Sequence, residues 1–540
     1  MTWRIALAQI NPTVGDISGN LELHREILSQ VGDKADIIIF PECSLPGYPA
    51  QDLLFEQSFL RDLASALMEL AKVVGDRWVI VGTVRREGGA LYNTAVVLHE
   101  GELFGWHDKS LLPTYDVFDE ARYFTPAPKI EPLVLHNAKG VQLRIGLHIC
   151  EDLWDQAYEK KVCDILGEQE IDLFVNISAS PFRVDRDPRR RELISEKVRR
   201  WRKPYIYCNL VGGQDELVFD GRSLVFDEKS QLCEVGNAFQ DDLFVVKFPF
   251  EEVSAKSSSP IHREEELSAA IRLGIRDYFK KTGHQEAVIG LSGGIDSSLV
   301  AALAVQALGA ENVLGISMPT AFNQPESEED ARLLAKNLGI RIEALPIEAL
   351  RITMLDVLEP FFKRSEPGIA EENLQSRLRG SILMAIANKR DALVLTTGNK
   401  TELGLGYATL YGDMAGALAP IGDVSKLDVY RLATFVNETG GQQIIPDRVI
   451  GKTPSAELRD DQVDPFDYEV VSPLVDKLVL NRASNAELEA EEYDHELIVH
   501  IRKLMVSAEY KRRQAAPLIR VTGKAFGIGR RYPIVNHYVE

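Results

Sequence analysis

The feature that most constrains the fold is a glycine-rich turn at residues 290–298, which reads Gly-Leu-Ser-Gly-Gly-Ile-Asp-Ser-Ser. An apolar run at 287–289 precedes it and a second apolar stretch at 299–304 follows it, so the pattern predicts a strand, a tight turn and a helix. Gly293 and Gly294 allow positive φ and a close approach of the backbone, and a following helix presents unpaired N–H groups and the positive end of its dipole. The turn is therefore predicted to hold phosphate.

Serine hydroxyls on Ser292, Ser297 and Ser298 add donors to this phosphate cradle. No lysine follows the glycines, so the turn differs from the GxxxxGK[ST] loop that serves transfer of a terminal phosphoryl group. The Ser-Gly-Gly-x-Asp-Ser pattern resembles the pyrophosphate loop of the ATP pyrophosphatases, a family that forms adenylates. By that resemblance, the residues that bind ATP are Gly290, Leu291, Ser292, Gly293, Gly294, Ile295, Asp296 and Ser297.

The size and charge of the chain restrict the number of domains and the classes of partner that we expect. Its 540 residues are enough for about two to four domains. A net charge of −20 argues against a nucleic-acid scaffold, whereas anionic small substrates need only local positive charge. No segment approaches the ~20 apolar residues of a membrane span, and the start lacks the order of a secretory signal. Five cysteines without CxxC spacing indicate neither a disulfide framework nor a zinc site, so we expect a cytoplasmic protein with small-molecule partners, no nucleic acid and no membrane.

A polar, serine-rich stretch that ends in Pro260 divides the chain. It predicts a first domain of 1–248, a linker of 249–265 and a second domain of 266–540. Several apolar runs of the first domain are apolar on both faces, which indicates an α/β body with a sheet covered on both sides. Strands and helices alternate in the second domain, which indicates a parallel, doubly wound sheet that binds ligands at the carboxyl ends of its strands. The predicted strands are 5–10, 37–40, 79–84, 94–98, 145–149, 173–177, 205–210, 287–289, 313–318, 342–347 and 392–396, and the predicted helices include 20–31, 189–201, 328–338 and 378–387.

Three reactive side chains follow strand-like runs of the first domain, namely Glu42, Lys109 and Cys150. A thiol attacks an amide carbonyl when a base takes its proton, and the tetrahedral oxyanion then needs a nearby cation. A glutamate, a cysteine and a lysine supply base, nucleophile and cation. Taken singly, each residue also has an ordinary structural explanation, as a helix cap, a buried thiol or a surface charge.

The sequences around these residues favour the catalytic interpretation over the structural explanations. Residues 40–42, 107–124 and 148–152 resemble the three motif blocks of the nitrilase and amidase superfamily, in the order of that family. The resemblance covers roughly residues 1–245 and implies an α-β-β-α sandwich. It implies Glu42 as general base, Lys109 as oxyanion stabiliser, Cys150 as nucleophile, Glu120 as a supporting carboxylate, and Tyr115, Ser180 and Arg186 as the residues that hold glutamine.

Two acids of the second domain, Asp296 and Glu402, lie close to the predicted phosphate position. Carboxylates together with substrate oxygens are what Mg²⁺ prefers, so we expect a magnesium ion that bridges ATP phosphates there. Single acidic residues in loops more often cap helices or stay solvated, and the prediction therefore depends on the surrounding motifs.

Those motifs lie at 292–297, 372–377, 397–402, 406–413, 452–458 and 511–512, and they resemble the motif series of the NAD⁺ synthetases. Joined to a nitrilase-like half, the series makes the whole chain similar to the glutamine-dependent members of that family. One departure is Pro465, which follows Asp464 where the family often has a second acid. The resemblance implies that Thr397 helps hold the adenosine of ATP and that Asn373, Arg377, Glu402 and Lys511 face deamido-NAD⁺.

The implied chemistry is amidation of a nicotinate carboxylate through an adenylate, with ammonia released from glutamine and carried through an enclosed route. The resemblance also implies a homo-oligomer. Three alternatives stay open from the sequence. The first is a synthetase with another acceptor, which amidates a xanthosine nucleotide or aspartate, or which thiolates tRNA. The others are an amidase whose second half only senses adenine nucleotide, and a non-catalytic binding protein.

Overall fold

The computed structural model describes residues 2–137, 139–250, 262–362, 368–441 and 443–540. The chain divides into two compact units, Met1–Ile261 and His262–Glu540. Residues 251–261 of the predicted linker lie outside the described residues, so the linker at 249–265 stays a prediction.

The first unit is built on two six-stranded sheets and a separate two-stranded hairpin. Its strands are β1 (Trp3–Gln9), β2 (Ile37–Ile39), β3 (Trp78–Glu87), β4 (Ala90–His99), β5 (Glu102–Asp108), β6 (Leu133–His136), β7 (Gln142–Ile149), β8 (Leu173–Ser178), β9 (Tyr205–Asn209), β10 (Val211–Gln214), β11 (Leu217–Asp220), β12 (Leu224–Phe226), β13 (Leu232–Val235) and β14 (Asp242–Phe248). Its helices are α1 (Ile17–Val31), α2 (Gln57–Ala71), α3 (Val162–Gly167) and α4 (Arg186–Trp201). The sheet orders are β14-β1-β2-β3-β4-β5 and β13-β12-β9-β8-β7-β6.

Three apolar layers hold this unit together. Side chains of α1 and α2, such as Leu28 and Leu63, form one core with the first sheet. Side chains of α3 and α4 form another core with the second sheet. Between the sheets, residues such as Ile5 and Ile145 are fully buried. Because both faces of each sheet are covered, the strands are apolar on both faces, and the predicted α-β-β-α sandwich is confirmed.

The second unit contains a four-stranded sheet with the order β17-β16-β15-β18, and every pairing in it is parallel. Its strands are β15 (Ala287–Gly290), β16 (Val313–Ser317), β17 (Arg341–Ala344) and β18 (Leu393–Leu395). Its helices are α5 (Arg263–Thr282), α6 (Ile295–Leu308), α7 (Pro325–Leu338), α8 (Glu348–Phe362), α9 (Ile369–Arg390), α10 (Lys400–Leu405), α11 (Lys426–Thr439), α12 (Asp447–Gly451), α13 (Tyr468–Asp476), α14 (Asn485–Ala490), α15 (His495–Ser507) and α16 (Glu509–Arg512).

The parallel sheet matches the expected doubly wound arrangement, with one correction to its strands. The strand predicted at 342–347 ends at Ala344, because the backbone N–H groups of Leu345 and Ile347 bond to the carbonyls of Ser317 and Pro319 outside the regular ladder. The strand order reverses beside β15, and ligands of such sheets bind at that switch point. Among the described residues, no helix is both long and apolar enough to cross a membrane.

A glycine of β3 allows the segment after β2 to lie against the sheet. A Cβ atom on Gly82 would lie 2.2 Å from the carbonyl oxygen of Pro41 and 2.6 Å from the Cα atom of Glu42. Both contacts are with backbone, so the segment that carries Glu42 would have to move. Gly105 of β5 offers a control, because a Cβ atom there meets only Leu133 Cδ1 at 3.5 Å.

We expect Gly82→Ala to lower the free energy of unfolding by about 1–3 kcal/mol through overpacking, and Gly105→Ala to change it by less than about 0.5 kcal/mol. All five tryptophans belong to the first unit, so urea unfolding followed by tryptophan fluorescence reports that unit alone. Equal effects of the two substitutions would contradict the packing described here.

Candidate active sites

The candidate nucleophile lies where β7 ends. Cys150 begins a 3₁₀ turn, Cys150–Leu153, with a positive φ of 41°, and only 6% of the residue is exposed. Burial, together with the negative charge of Glu42, raises the pKa of the Cys150 thiol well above its usual range. The resting thiol is therefore protonated at neutral pH, and it needs a base before it can attack.

Glu42 follows β2 and is fully buried. Its Oε1 accepts hydrogen bonds from Lys109 Nζ at 2.8 Å and from Asn93 Nδ2 at 2.7 Å, and its Oε2 accepts one from the backbone N–H of Ala179 at 2.7 Å. These three bonds fix the carboxylate on both oxygens. Asn93 was not identified from the sequence, since nothing in its motif distinguishes it from any asparagine of a strand.

Lys109 follows β5 and is 1% exposed, so it is not a surface charge. Its ammonium group also donates to Glu120 Oε1 at 2.8 Å, which accepts a second hydrogen bond from the hydroxyl of Tyr48 at 2.9 Å. Burial lowers the pKa of Lys109, but the carboxylates of Glu120 and Glu42 outweigh burial and leave the pKa raised. Burial raises the pKa of Glu120 to about 7, against the opposing effect of Lys109.

The residues predicted to hold glutamine lie around the same strand ends. The Tyr115 hydroxyl donates to Glu151 Oε1 at 2.9 Å, and the Ser180 backbone N–H donates to Asn209 Oδ1 at 3.0 Å. The Arg186 guanidinium lies 3.6 Å from the centroid of a Trp154 ring, and burial lowers its pKa to about 10. Within the part of the chain that the structure describes, Ser180 Oγ and Arg186 Nε are buried without a hydrogen-bond partner, so both can receive a polar ligand.

The glycine-rich turn has the predicted strand–turn–helix geometry, with β15 before it and α6 after it. Gly293 has φ +76°, and a Cβ atom there would lie 2.2 Å from the carbonyl oxygen of Ser327. Gly294 has φ −93° and adopts extended backbone at the N-cap of α6, so of the two glycines only Gly293 uses the positive φ that glycine allows. The Ser297 and Ser298 hydroxyls donate to the Gly294 carbonyl, at 3.0 and 2.8 Å.

A cavity of about 280 Å³ lies beside this turn, within the second unit. It is lined by most of the residues predicted to contact ATP and the metal ion. Gly293 is not among the lining residues, because it faces the backbone of Ser327. The predicted residues in the lining are Gly290, Leu291, Ser292, Gly294, Ile295, Asp296, Ser297, Thr397 and Glu402.

Two residues that the sequence did not single out connect the two acids. Lys426 Nζ donates to Asp296 Oδ2 at 2.5 Å and lies 3.4 Å from Glu402 Oε1. Asn399 Nδ2 donates to Asp296 Oδ1 at 2.9 Å, and Asn399 Oδ1 accepts from the backbone N–H of Glu402 at 3.1 Å. Burial and the charge of Asp296 raise the pKa of Glu402 to about 8, although Lys426 opposes the shift.

This pair of carboxylates fits a magnesium ion that takes its remaining ligands from phosphate and water, since Mg²⁺ in nucleotide sites uses one or two carboxylates. In the described residues, no cluster of three or more His, Cys, Asp or Glu forms an all-protein metal site. The donor set therefore fits a metal that arrives with its nucleotide.

Asn373, Arg377 and Lys511, predicted to face the dinucleotide, do not line this cavity. All three hold the segment 406–410. Lys511 Nζ donates to the carbonyls of Gly406 and Ala408, both at 2.8 Å, and Arg377 Nε donates to the carbonyl of Leu410 at 3.3 Å. Asn373 Oδ1 accepts from the Thr409 hydroxyl at 2.7 Å. Asp464 precedes Pro465, the position at which this sequence departs from the family pattern. Asp464 does line the cavity, and it accepts hydrogen bonds from Tyr407 and Tyr468.

The first unit thus has the fold and the buried Glu-Lys-Cys set of a thiol amidohydrolase, and the second has the sheet and loop of an adenylate-forming domain. Family models agree with this division. Residues 4–256 match the carbon–nitrogen hydrolase family, and residues 267–515 match the NAD synthase family. The class is therefore that of ligases that join an amidohydrolase to an NAD synthase.

Comparison with relatives that match over the full length of the chain identifies the particular family. The chain is 44% identical to the glutamine-dependent NAD⁺ synthetase of Synechocystis sp., with 99% of each chain covered. It is 40% identical to that of Thermotoga maritima, again with 99% of each chain covered. The chain belongs to the family of glutamine-dependent NAD⁺ synthetases.

Solved structures agree with these relatives. A glutamine-dependent NAD⁺ synthetase from Acinetobacter baumannii, solved in complex with ADP, is 35% identical with a TM-score of 0.79, and 99% of each chain is covered. The corresponding structure from Cytophaga hutchinsonii has a TM-score of 0.85 at 22% identity, covering 99% of this chain and 98% of that one, and it shows the shared fold.

We expect glutamine hydrolysis to rise as the pH increases through about 7, the pKa of Glu120. Burial raises that pKa, so the carboxylate that holds Lys109 is charged only above it. Below it, Lys109 is held by one charged carboxylate instead of two, so its ammonium group is less firmly positioned for the oxyanion. Glu120→Gln should remove this pH-dependent rise and lower kcat, as measured by glutamate release between pH 5.5 and 9. The exposed Glu131→Gln is the control, and an unchanged rise in Glu120→Gln would refute the assignment.

Proposed function

We propose that the chain forms NAD⁺ from deamido-NAD⁺, ATP and glutamine, and releases AMP, pyrophosphate and glutamate. Membership of the family over the whole length supports this reaction. The observation that carries it is the combination, in one chain, of a buried carboxylate–lysine pair with a nucleophilic thiol and of a glycine-rich turn beside a cavity.

In the first unit, Glu42 takes the proton of Cys150 and the thiolate attacks the carbonyl carbon of the glutamine side chain. Lys109 stabilises the oxyanion, and the two hydrogen bonds that it donates to Glu42 and Glu120 fix it for that role. The C–N bond then breaks, ammonia leaves with the proton that Glu42 carried, and a glutamyl thioester remains. Water activated by Glu42 hydrolyses the thioester to glutamate and restores the thiol.

Tyr115, Ser180 and Arg186 hold the glutamine in this proposal. Free glutamine carries a carboxylate and an ammonium group. The Arg186 guanidinium suits the carboxylate, and the unpaired Ser180 hydroxyl suits either a donor or an acceptor.

In the second unit, an oxygen of the nicotinate carboxylate attacks the α-phosphorus of ATP and pyrophosphate leaves. The N–H groups at the start of α6 and the turn at 290–297 bind the phosphates of ATP, and Thr397 lies in the same cavity to hold the adenosine. Ammonia then attacks the acyl carbon, the bond to AMP breaks, and the amide forms. Asn373, Arg377 and Lys511 position the dinucleotide through the segment 406–410 that they hold.

Asp296 and Glu402 are the proposed ligands of Mg²⁺, which supplies neutralisation of phosphate charge when bound. Lys426 and Asn399 orient these carboxylates through the contacts described above. In water at neutral pH, ammonia is mostly protonated to ammonium, which is not a nucleophile. We therefore also propose that ammonia passes internally from Cys150 to the adenylate. The proposal includes a homo-oligomer and a cytoplasmic location, where thiols stay reduced.

We expect Cys150→Ala to abolish glutamine-dependent NAD⁺ formation and to leave synthesis from added ammonium chloride within about twofold of the unmodified protein. The alanine removes the nucleophile of the first unit only. The measurement follows AMP and NAD⁺ with deamido-NAD⁺, ATP and Mg²⁺. Cys233→Ala, in β13, is the control. Loss of ammonium-dependent synthesis in Cys150→Ala would refute the division of labour, and AMP formation only with another acceptor would refute the substrate.

We expect Gly293→Ala to reduce adenylate formation at least about 100-fold, because its Cβ atom would lie 2.2 Å from the Ser327 carbonyl oxygen and displace the turn. Exchange of labelled pyrophosphate into ATP, in the presence of deamido-NAD⁺, measures this step without ammonia. Gly283→Ala is a matched control, because Gly283 also has positive φ, +81°, but has nothing within 4 Å of the added Cβ atom. Similar losses in both variants would refute a role for the turn.

A further inference from the structure

We propose that Asp152 is a positioning residue of the glutamine-hydrolysing site, and that its carboxylate fixes the segment of the nucleophile against the segment of the oxyanion lysine. This inference rests on the proposed function of Cys150 and Lys109. It assigns a task to a buried side chain that the mechanism above does not use.

The carboxylate lies between two segments that are distant in sequence. Asp152 Oδ2 accepts the backbone N–H of Ile149 at 3.0 Å, and Ile149 directly precedes Cys150. Asp152 Oδ1 accepts the N–H groups of Ser110 at 3.1 Å and Leu111 at 2.8 Å, directly after Lys109. One fully buried side chain therefore bonds the residues adjacent to both the nucleophile and the cation.

Such a carboxylate is costly to bury unless its oxygens are paired, and here each oxygen has a partner. The three partners are all backbone N–H groups, so the bonds fix main chain rather than side chains. Asp152 is the third residue of the 3₁₀ turn that begins at Cys150, and its side chain accepts the backbone N–H of Ile149, the N-cap residue directly before that turn. Cys150, with its positive φ, thus lies between the two residues that this bond joins.

The two segments have few other ties to each other through side chains of the triad. Among the described residues, Lys109 Nζ is hydrogen-bonded to Glu42 and Glu120 and not to the thiol of Cys150. The distance between thiol and ammonium therefore depends on how the main chains are held. A displacement of about 1 Å at a reacting centre can cost about 100-fold in rate.

Asparagine is the most informative substitution for Asp152. It has nearly the same volume, and its single carbonyl oxygen can keep the two bonds from Ser110 and Leu111. Its amide nitrogen would then face the N–H of Ile149, so an acceptor becomes a donor at the bond next to Cys150.

The expected result for Asp152→Asn is a fall of about 100-fold in kcat for glutamine hydrolysis with KM within about twofold. Synthesis from added ammonium should be unchanged. The rate at which iodoacetamide alkylates Cys150, located by peptide mapping, should change in the same variant. That rate requires no glutamine turnover, so it tests the proposal even if the proposed function fails, whereas absence of glutamine hydrolysis in the unmodified protein would refute only the function.

Asp227→Asn is the matched control. Asp227 is also a buried carboxylate that accepts two backbone N–H groups, from Lys229 at 2.9 Å and Gln231 at 2.7 Å, but it lies in the turn between β12 and β13. Both bonds go to Oδ1, so asparagine can keep them, and this variant should keep kcat and the alkylation rate.

Asp152→Glu is a second variant, which keeps the charge and moves the acceptors by about one bond length. Its kcat should lie between those of the unmodified protein and Asp152→Asn. If either variant folds and its kcat and alkylation rate equal those of the unmodified protein, the proposal is overturned. A change confined to KM would also overturn it, as would failure of both variants to fold, which would assign Asp152 a structural role only.

Discussion

The first site depends on one buried ion cluster, in which the ammonium group of Lys109 bonds the carboxylates of Glu42 and Glu120. Charges removed from water are stable only when paired, so each member requires the others. Burial, together with the negative charge of Glu42, raises the pKa of the Cys150 thiol, so in the proposed mechanism the thiol is protonated at rest and Glu42 takes its proton. The sandwich supports the cluster by delivering Glu42, Lys109 and Cys150 from the ends of three different strands, β2, β5 and β7.

The second unit also places its site residues on segments that follow strands, here the strands of a parallel sheet. The turn after β15 and the segment after β18 meet at the point where the strand order reverses, and Asn399 links them by bonding Asp296 and capping the helix that carries Glu402. Lys426, from the start of α11, neutralises part of the charge of both acids. The carboxylates are thus oriented by the protein, and oxygens of a nucleotide can complete the site of a divalent cation.

Much of this could be predicted from the sequence, because apolar runs followed by Glu42, Lys109 and Cys150 indicate both strands and strand ends. The motifs also identified the family. Partners brought together by tertiary packing were not predictable, since Asn93 and Lys426 have no local signal. The pattern predicts a strand as far as residue 347 because apolar residues follow Ala344, whereas β17 ends at Ala344 and the backbone after it is irregular.

The central claim is that nitrogen freed by a thiol in one unit is delivered internally to an acyl adenylate in the other. The most direct test supplies glutamine labelled with ¹⁵N in its side-chain amide, together with unlabelled ammonium chloride, and follows NAD⁺ by mass spectrometry. The account predicts NAD⁺ that carries mostly the label, with one AMP formed for each NAD⁺. Label diluted to the composition of the surrounding ammonium, or ADP and orthophosphate as products, would contradict it.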